Sequence, residues 1–463
     1  MSEPRTPLRE IEATFDVAII RCGNTSVWPI IRREVHYAIT QKAHTAVPAG
    51  GKHQRLKRAA RALWNIHRWA GRASVLVFSD SRHAKTIDGV QVDYLLYPLF
   101  DLLSQETLRY VEKPVPQHTA TANSANPNAV SMSTLDVAAV VLAKLAGQPQ
   151  ISGQNILDEI NKKYGIRVNA AKLIATYLGY RKVMAFVLRR SRPKAVFLSQ
   201  YYTLAHMALI SAAREAAVPT IELQHGMISA DHTAYNLYYD ADNPDCYPDQ
   251  LWMFGDGSRD SLKATGVVST DRLRVTGNAY IDYLRRQHRA HDAPVNNPLR
   301  VAVTLQWPIE DAMLASIFAA AGLCPGVRFV LIPRQPELTK YAQLTLPANV
   351  EIEFERSFYE AITDVDVHCT VYSTCALESL ALGTPNVVLD LEGLARTHLG
   401  SLLSAPASVF ANDTEELAQI LNRYERPAEA EISTAAERLF ATGVRENLRA
   451  AIIDLDAGLA LRD

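Results

Sequence analysis

Short apolar runs alternate with helix-spaced segments along most of this chain, and the alternation comes in two sets. In the first set the pattern predicts buried strands over Phe15–Ile20 and Ser74–Phe78, then helical spacing from about Leu135 to Arg190. Further strands are expected at Ala195–Leu198, Pro219–Leu223, Gln250–Phe254 and Leu273–Thr276. A fresh set runs through Leu299–Thr304, Val327–Ile332, Val350–Phe354, Asp366–Val371 and Asn386–Leu389, and the tail from Glu415 to Leu461 reads as helical. Pro114–Thr134, rich in Ala, Asn, Ser, Thr and Pro, reads as a mobile loop or linker. Polar Asn278–Asn297 marks a domain boundary. The expectation is an α/β chain of two Rossmann-like domains with parallel sheets facing a cleft. Residues 1–290 would form the first, with a helical insertion at about 113–192. Residues 298–430 would form the second, and 431–463 closing helices. Ligands of such sheets sit at the carboxyl ends of strands, so the loops there are the places to search for chemistry.

A chain of 463 residues exceeds one core, which agrees with two domains. Its formal net charge of −1 carries no signature of nucleic-acid binding. The five cysteines (Cys22, Cys246, Cys324, Cys369, Cys375) lack metal-ligand spacing and suit a reducing cytoplasm. The first fifteen residues read as neither leader nor anchor, and no run reaches the roughly 20 apolar residues of a membrane span. One segment departs from the neutral balance. Gly51–Arg72 carries Lys52, Arg55, Lys57, Arg58, Arg61, Arg68 and Arg72 without an acid, with Trp64 and Trp69 near an apolar face. It reads either as a contact with an anionic membrane surface or as a core-packed helix with a solvated basic face.

The most informative stretch is Asp366–Asp390. An apolar strand leads to Tyr372-Ser373-Thr374, a helical segment follows from Ala376, and Gly383-Thr384-Pro385 stops it before a second strand. Hydroxyls at a helix start, with exposed N–H groups and the positive end of the helix dipole, form a seat for phosphate. Glu378, about one turn after Thr374, can accept hydrogen bonds from a ribose diol. Three other loops close strands. Gln224-His225-Gly226 places an imidazole at a sheet edge beside a glycine that permits close approach, with Asp231 and His232 shortly after. Thr276-Gly277-Asn278 ends the last strand of the first set, and Gln306 follows the first strand of the second. Arg334-Gln335-Pro336 ends the next, where Arg334 offers a planar fork to phosphate. Asn24, in Gly23-Asn24-Thr25-Ser26, and Arg82, His83 and Asp88, after the Ser74–Phe78 strand, read as acceptor-side or merely solvated residues.

The Asp366–Pro385 pattern resembles the donor-binding segment of GT-B glycosyltransferases, most closely those that build bacterial capsule and other surface polysaccharides. Gln224-His225-Gly226 is similar to the His-Gly loop of those enzymes and of the CDP-glycerol phosphotransferases. Thr276-Gly277-Asn278 with Asp282 occurs in GT-B transferases and in UDP-GlcNAc 2-epimerases. Those relatives usually show His-Pro where Gln335-Pro336 stands here, so a charge-bearing imidazole is not carried over to that position.

The resemblance implies transfer of a sugar from a nucleotide-activated donor to a glycan or lipid-linked glycan acceptor, without a metal or cofactor. Donor contacts would come from Gly226, Gly277, Gln306, Arg334, Gln335, Ser373, Thr374 and Glu378. His225 or Asp231 would activate the acceptor, or Asp231 would act as a nucleophile in a retaining reaction. His225 holding a donor phosphate is the alternative role. The enzyme would work in the cytoplasm or at the inner face of the cytoplasmic membrane. A CDP-polyol phosphotransferase, a UDP-sugar epimerase and a non-catalytic glycan-binding module remain the other readings.

Overall fold

The computed structural model describes residues 7–40, 69, 71–113, 129–239, 245–263, 265–287, 298–307, 309–334 and 338–462. Its strands are β1 (Arg21–Cys22), β2 (Thr25–Ser26), β3 (Val75–Asp80), β4 (Ala84–Ile87), β5 (Val90–Asp93), β6 (Leu108–Lys113), β7 (Val130–Ser131), β8 (Ala195–Leu198) and β9 (Thr220–Leu223). They continue with β10 (Gln250–Met253), β11 (Leu273–Val275), β12 (Leu299–Thr304), β13 (Val327–Ile332), β14 (Val350–Ile352), β15 (Val367–Thr370), β16 (Asn386–Leu389) and β17 (Ser408–Ala411). A seven-stranded parallel sheet has the order β11-β10-β9-β8-β3-β6-β7, and a six-stranded parallel sheet the order β14-β13-β12-β15-β16-β17. Each sheet is covered by helices, so its central strands are apolar on both faces. In β3, Val75 and Val77 turn to one side and pack with Leu96, Leu99 and Leu102. Leu76 and Phe78 turn to the other, among Ile174, Met184 and Leu188 of the long helix Ala170–Ser191.

Several segments differ from the expectation. Phe15–Ile20 is not a strand: it follows the helix Pro7–Thr14 and contains a short 3-10 turn over Val17–Ile19. Its apolar side chains pack beneath the helix Trp28–Thr40 instead of entering a sheet, which begins with β3. Residues 129–134, expected in the linker, supply the edge strand β7 and the start of the helix Ser133–Ala146. β6 and β17, which the pattern did not predict, extend the two sheets. The basic stretch 51–72 lies outside the described residues but for Trp69, Gly71 and Arg72. Trp69 lies under the Arg109 guanidinium at 5.9 Å.

The tail is helical over Thr414–Asn422, Glu429–Leu439 and Val444–Asp454, and its later part crosses back to the first sheet. Phe440 stacks on Phe254 at 5.4 Å, the Ala441 N–H donates to the Phe254 carbonyl, and Arg462 pairs with Asp101 at 2.8 Å. Glycine is required at this crossing. A Cβ on Gly277, whose φ is +84°, would lie 2.6 Å from the Ala441 carbonyl oxygen and 2.7 Å from a Val444 methyl.

Candidate functional site

The carboxyl ends of β12, β13 and β15 open into a cleft of about 580 Å³ lined by Gln306, Arg334, Arg356, Tyr372, Ser373 and Thr374, among others. Its floor is set by buried hydrogen bonds. The Gln306 side-chain oxygen Oε1 accepts from Thr370 Oγ1 (3.2 Å), Val371 N (3.3 Å) and Tyr372 N (2.8 Å), tying the β12 loop to the β15 loop. One layer below, His368 lies 2.8 Å from Thr304 Oγ1 and 2.8 Å from Asn386 Oδ1, which also accepts from Ser379 at 2.7 Å. Asn386 in turn donates to the Ala376 carbonyl at 2.8 Å. This network locks three strands to the helix Cys375–Ala381 and so fixes Ser373 and Thr374. Burial pushes His368 down to about 4, so at neutral pH it acts as an uncharged strut.

Thr374, expected at the cap, has helical φ and ψ and makes no side-chain cap; Ser373 Oγ accepts from the Cys375 N–H at 3.2 Å. Arg334 is exposed at the end of β13 and acts electrostatically on Tyr372 and Cys375. Arg356 is held by Glu353 at 2.7 Å. Gln335 lies outside the described residues.

Glu378 stands one turn further on, in the seam between the domains. Burial pushes its carboxyl up to about 7, against a hydrogen bond from Tyr359 and the charge of Lys85. The carboxyl also acts on Tyr94 and Tyr280 from the first domain, and Tyr280 packs edge-on to Tyr359 at 5.4 Å. Lys85 reaches this cluster from the hairpin β4–β5 and lies 5.8 Å from the Tyr359 ring.

In the first domain, the carboxyl edge of the sheet gathers Asp80, Arg82 and His83 at the end of β3, Gln200 and Tyr202 after β8, and His225 with Gly226 after β9. Burial would raise Asp80, but the hydrogen bonds and charge of Arg82, together with His83, bring it to about 2. His83 is buried, 3.0 Å from Ser79 Oγ through its Nδ1, and its ring is 6.0 Å from that of His225. His225 Nε2 lies 2.8 Å from the Tyr202 hydroxyl. Burial first, then His83, His232 and Arg82, hold His225 well below the usual imidazole range. Its loop is latched by Gln224, whose amide donates to Gly226 O (2.8 Å) and Ser258 Oγ (3.0 Å) and whose oxygen accepts from Phe254 N (2.7 Å). A Cβ on Gly226 would meet open space, so a ligand can approach its backbone.

A smaller cavity of about 290 Å³ lies beside His225, lined by Arg33, His36, Tyr202, Asp231, His232 and His398, among others. His398 comes from the second domain, and its ring is 5.0 Å from Tyr372 in the larger cleft, so the two cavities meet at that pair. Among the described residues no group of three His, Cys, Asp or Glu has the geometry to hold a metal ion.

The structure therefore brings together Arg82, His83, His225 and Gly226 on one edge and Gln306, Arg334, Ser373 and Thr374 on the other, with Glu378 in the seam. One expectation is corrected, and two candidates left open between acceptor and solvent fall outside the cleft. Gly277 faces the tail, and its N–H is engaged by the Met253 carbonyl at 3.2 Å, so it serves the crossing of Ala441 rather than the cleft. Asp88 forms the Asp-Gly turn of the hairpin, with φ of 49° followed by 78° at Gly89, and accepts from Tyr283 at 3.2 Å. Asn24 is exposed at the turn of the β1–β2 hairpin, which is bridged to Ser152 on the helical side of the domain. Asp231 lies in the smaller cavity, where its charge acts on His398. Tyr94, Tyr202, Glu222, Gln224 and His398 were missed. Tyr202 was the most accessible of them, since Gln200-Tyr201-Tyr202 follows a predicted strand at the same edge.

No protein-family model matches the chain, and no curated protein matches it. Among solved structures, the glycotransferase of kitacinnamycin matches over 83% of this chain and 99% of that one, with a TM-score of 0.51 and 13% identity. The fold is GT-B. The calicheamicin glycosyltransferase CalG4 matches with a TM-score of 0.49 and 12% identity over 84% of this chain and 100% of that one. A UDP-GlcNAc 2-epimerase from Neisseria meningitidis bound to UDP-GlcNAc matches with 0.44 and 15% over 82% and 98%. At such identities the likeness is one of fold, and the GT-B frame accounts for two parallel-sheet domains, the cleft at the carboxyl ends of the second sheet's strands and a tail that recrosses to the first. Function rests on the side chains in that cleft.

Proposed function

We propose that this GT-B protein is a glycosyltransferase that takes a sugar from a nucleotide-activated donor and places it on a growing bacterial surface glycan. The observation that carries the reading is the meeting of two unlike edges. One is a polar edge with Arg334, Ser373 and Thr374; the other carries an uncharged imidazole, His225, and the cavity beside it adjoins the cleft at the Tyr372–His398 contact. Arg334 and the hydroxyls would hold the diphosphate and stabilise the charge that develops on it as it leaves. No metal ion or cofactor is assigned to the reaction. An imidazole held well below its usual range is neutral at pH 7, which leaves a ring nitrogen open to a proton and disfavours the role of a cation gripping phosphate. In the transfer, the acceptor hydroxyl gives its proton to His225 Nε2 and its oxygen forms the new bond to the anomeric carbon. The bond from that carbon to the donor phosphate oxygen breaks, and its electron pair leaves with the nucleotide. The smaller cavity, with Tyr202, Arg33 and three imidazoles, would receive the acceptor.

Work at the inner face of the cytoplasmic membrane is proposed from the basic segment 51–72, and no helix among the described residues is long and apolar enough to cross a membrane. The test is a panel of UDP-, GDP-, CDP- and CMP-linked sugars and CDP-glycerol, with products read by mass spectrometry. Sugar transfer or donor hydrolysis supports the reading. Epimerised donor, or transfer of polyol phosphate, replaces it with one of the two other reactions. Binding of a nucleotide without turnover across the panel would leave a glycan-binding module.

A further inference from the structure

The smaller cavity has a chemical bias that sugar transfer alone does not call for. Basic side chains from three parts of the chain meet around it. Arg33 and His36 come from the helix Trp28–Thr40, His232 from the loop after β9, and His398 from the second domain. They act on one another. Burial first, then Arg32, Arg33 and His398, depress His36; burial first, then His398, His36 and Arg33, depress His232. Groups that repel one another across a cavity are relieved by an anion placed among them.

The two neighbouring arginines differ in what holds them. Arg32 is committed to the core: it pairs with Glu12 at 2.7 Å and donates to the Asn236 carbonyl at 2.8 Å, bracing the His232 loop. Arg33 has no acid at ion-pair distance among the described residues. It donates to neutral oxygens, the Tyr202 carbonyl at 2.6 Å and the Tyr37 hydroxyl at 3.2 Å. Its guanidinium lies over the rings of both tyrosines, 4.8 Å from Tyr202 and 4.9 Å from Tyr37. These contacts fix the plane of the fork and leave N–H groups over for a ligand. His232 adds a donor without a charge. Its Nδ1 accepts from the Ala234 N–H at 3.3 Å, so the neutral ring carries its proton on Nε2.

We propose that this cavity seats a singly charged oxyanion of the acceptor, a uronate carboxylate or a phosphodiester, on the Arg33 fork beside His232 and His398. The proposal rests on the cavity being the acceptor side of the transferase. Asp231 limits the ligand to one charge. It is the one carboxylate among the described lining residues, and its charge acts on His398. Arg33 can match one negative charge. A second would meet Asp231 with only imidazoles, held below their usual range, to answer it. One charge matched by Arg33 also leaves His225, behind Tyr202, uncharged.

The test titrates the full chain, labelled with 15N-histidine, with methyl glucuronide against methyl glucoside and with glycerophosphoglycerol against glycerol. His232→Gln and His398→Gln assign the two signals. We expect the acidic member of at least one pair to move both signals and the neutral member to leave them in place. Arg33→Gln, checked for folding by circular dichroism, should weaken that binding about tenfold or more. Arg33→Lys, which keeps the charge but not the fork, should restore part of it. A response to the glucuronide alone assigns a uronate, and to the diester alone a phosphodiester. Glycerol phosphate, a dianion at pH 8, should bind more weakly than the diester, and tighter binding overturns the single-charge assignment. No shift with either anion, equal shifts with the neutral partners, or parental affinity in Arg33→Gln overturns the proposal. If the anions bind as expected while no donor is turned over, the transferase reading falls and the seat stands. If sugar passes as readily to neutral acceptors as to acidic ones, the seat falls and the transferase reading stands.

Discussion

Replacing Glu378 by glutamine should strengthen the fold and weaken the function at once. The carboxyl lies between the domains among Tyr94, Tyr280 and Tyr359, and burial raises it from 4.5 to about 7. A folded-state value above the unfolded one means that the folded chain holds the proton more tightly. Its contribution is fully present below pH 4.5 and is lost as pH rises through about 7. That interval corresponds to about 3.5 kcal/mol at most, at ~1.4 kcal/mol per pH unit. Glu378 is only partly buried, so solvent screening reduces the expected figure to about 1–2 kcal/mol. Glutamine keeps the bond from Tyr359 and carries no charge to desolvate. The variant should therefore melt a few degrees above the parent at pH 8 and level with it at pH 5. If the carboxyl also receives a ribose diol, the variant loses charge-assisted hydrogen bonds worth roughly 1.5–3 kcal/mol, and donor Kd rises about tenfold or more. Scanning calorimetry at the two pH values and titration calorimetry with UDP-, GDP- and CDP-linked sugars measure the two effects. Equal melting at pH 8 would refute the assignment of a costly ionisation to this seam. Unchanged donor affinity would remove Glu378 from the donor site and leave it a packing residue.

Arg334→Ala should raise the Kd for a nucleoside diphosphate about tenfold or more through loss of a charged hydrogen bond, with melting unchanged because the side chain is exposed; equal binding would discard it as a phosphate ligand. His225→Ala should cut turnover by about 10² to 10⁴ with donor affinity little changed, and a parental rate would return the His-Gly loop to a structural role. Gly277→Ala should destabilise by about 2–4 kcal/mol, since it adds a left-handed penalty to a clash with the Ala441 carbonyl, and should speed proteolysis of the tail; a parental melting curve would show that the crossing yields easily. Reversing the charges of Arg55, Lys57 and Arg58 should release the protein from anionic vesicles in co-sedimentation, whereas no binding by the parent at low salt would end the membrane reading.

The second sheet was legible because its central strands are buried on both faces and read as unbroken apolar runs. β12, β13 and β16 fall on the expected residues for that reason. The edges were not legible. β6 carries Arg109, Glu112 and Lys113, and the edge strand β17 is only half-buried at Val409 and Phe410, so neither stands out by periodicity. Phe15–Ile20 failed in the other direction, because a short apolar run cannot by itself distinguish a strand from a segment packed under helices. For the candidate site, motifs close to a strand end placed His225, Arg334 and Ser373 at the carboxyl ends of β9, β13 and β15, where the structure has them. They could not locate Gln224, Tyr202 or His398, whose roles depend on which neighbours the topology brings within reach. Gly277 shows the same limit. A glycine after a strand announces a close approach, but the approaching group proves to be backbone 164 residues later in the chain, at Ala441.

The charge states around the seam bear on how such a site can work with few fixed charges. His225, His232 and His398 are all held below the usual imidazole range by burial, while Glu222 and Glu378 are raised by it to about 8 and about 7. Asp80 keeps its charge but is matched by Arg82, through two contacts of 3.0 Å to the guanidinium Nε. The acids and imidazoles nearest the proposed reaction centre therefore rest neutral or paired, and the exposed Arg334 is left to act on an arriving anion. An arriving diphosphate brings negative charge to that guanidinium, and because Arg334 is exposed, surrounding water moderates the attraction. The same negative charge would favour protonation of imidazoles close to it, so a base must stand away from the phosphate seat to remain neutral. His225 does so. It lies on the first sheet, behind Tyr202, and its nearest acid is Glu222, itself largely protonated at neutral pH. On the proposed reading, an anion seat and a base on opposite sheets would let the site hold a dianion and an uncharged imidazole together, which a single strand-loop-helix unit could not do.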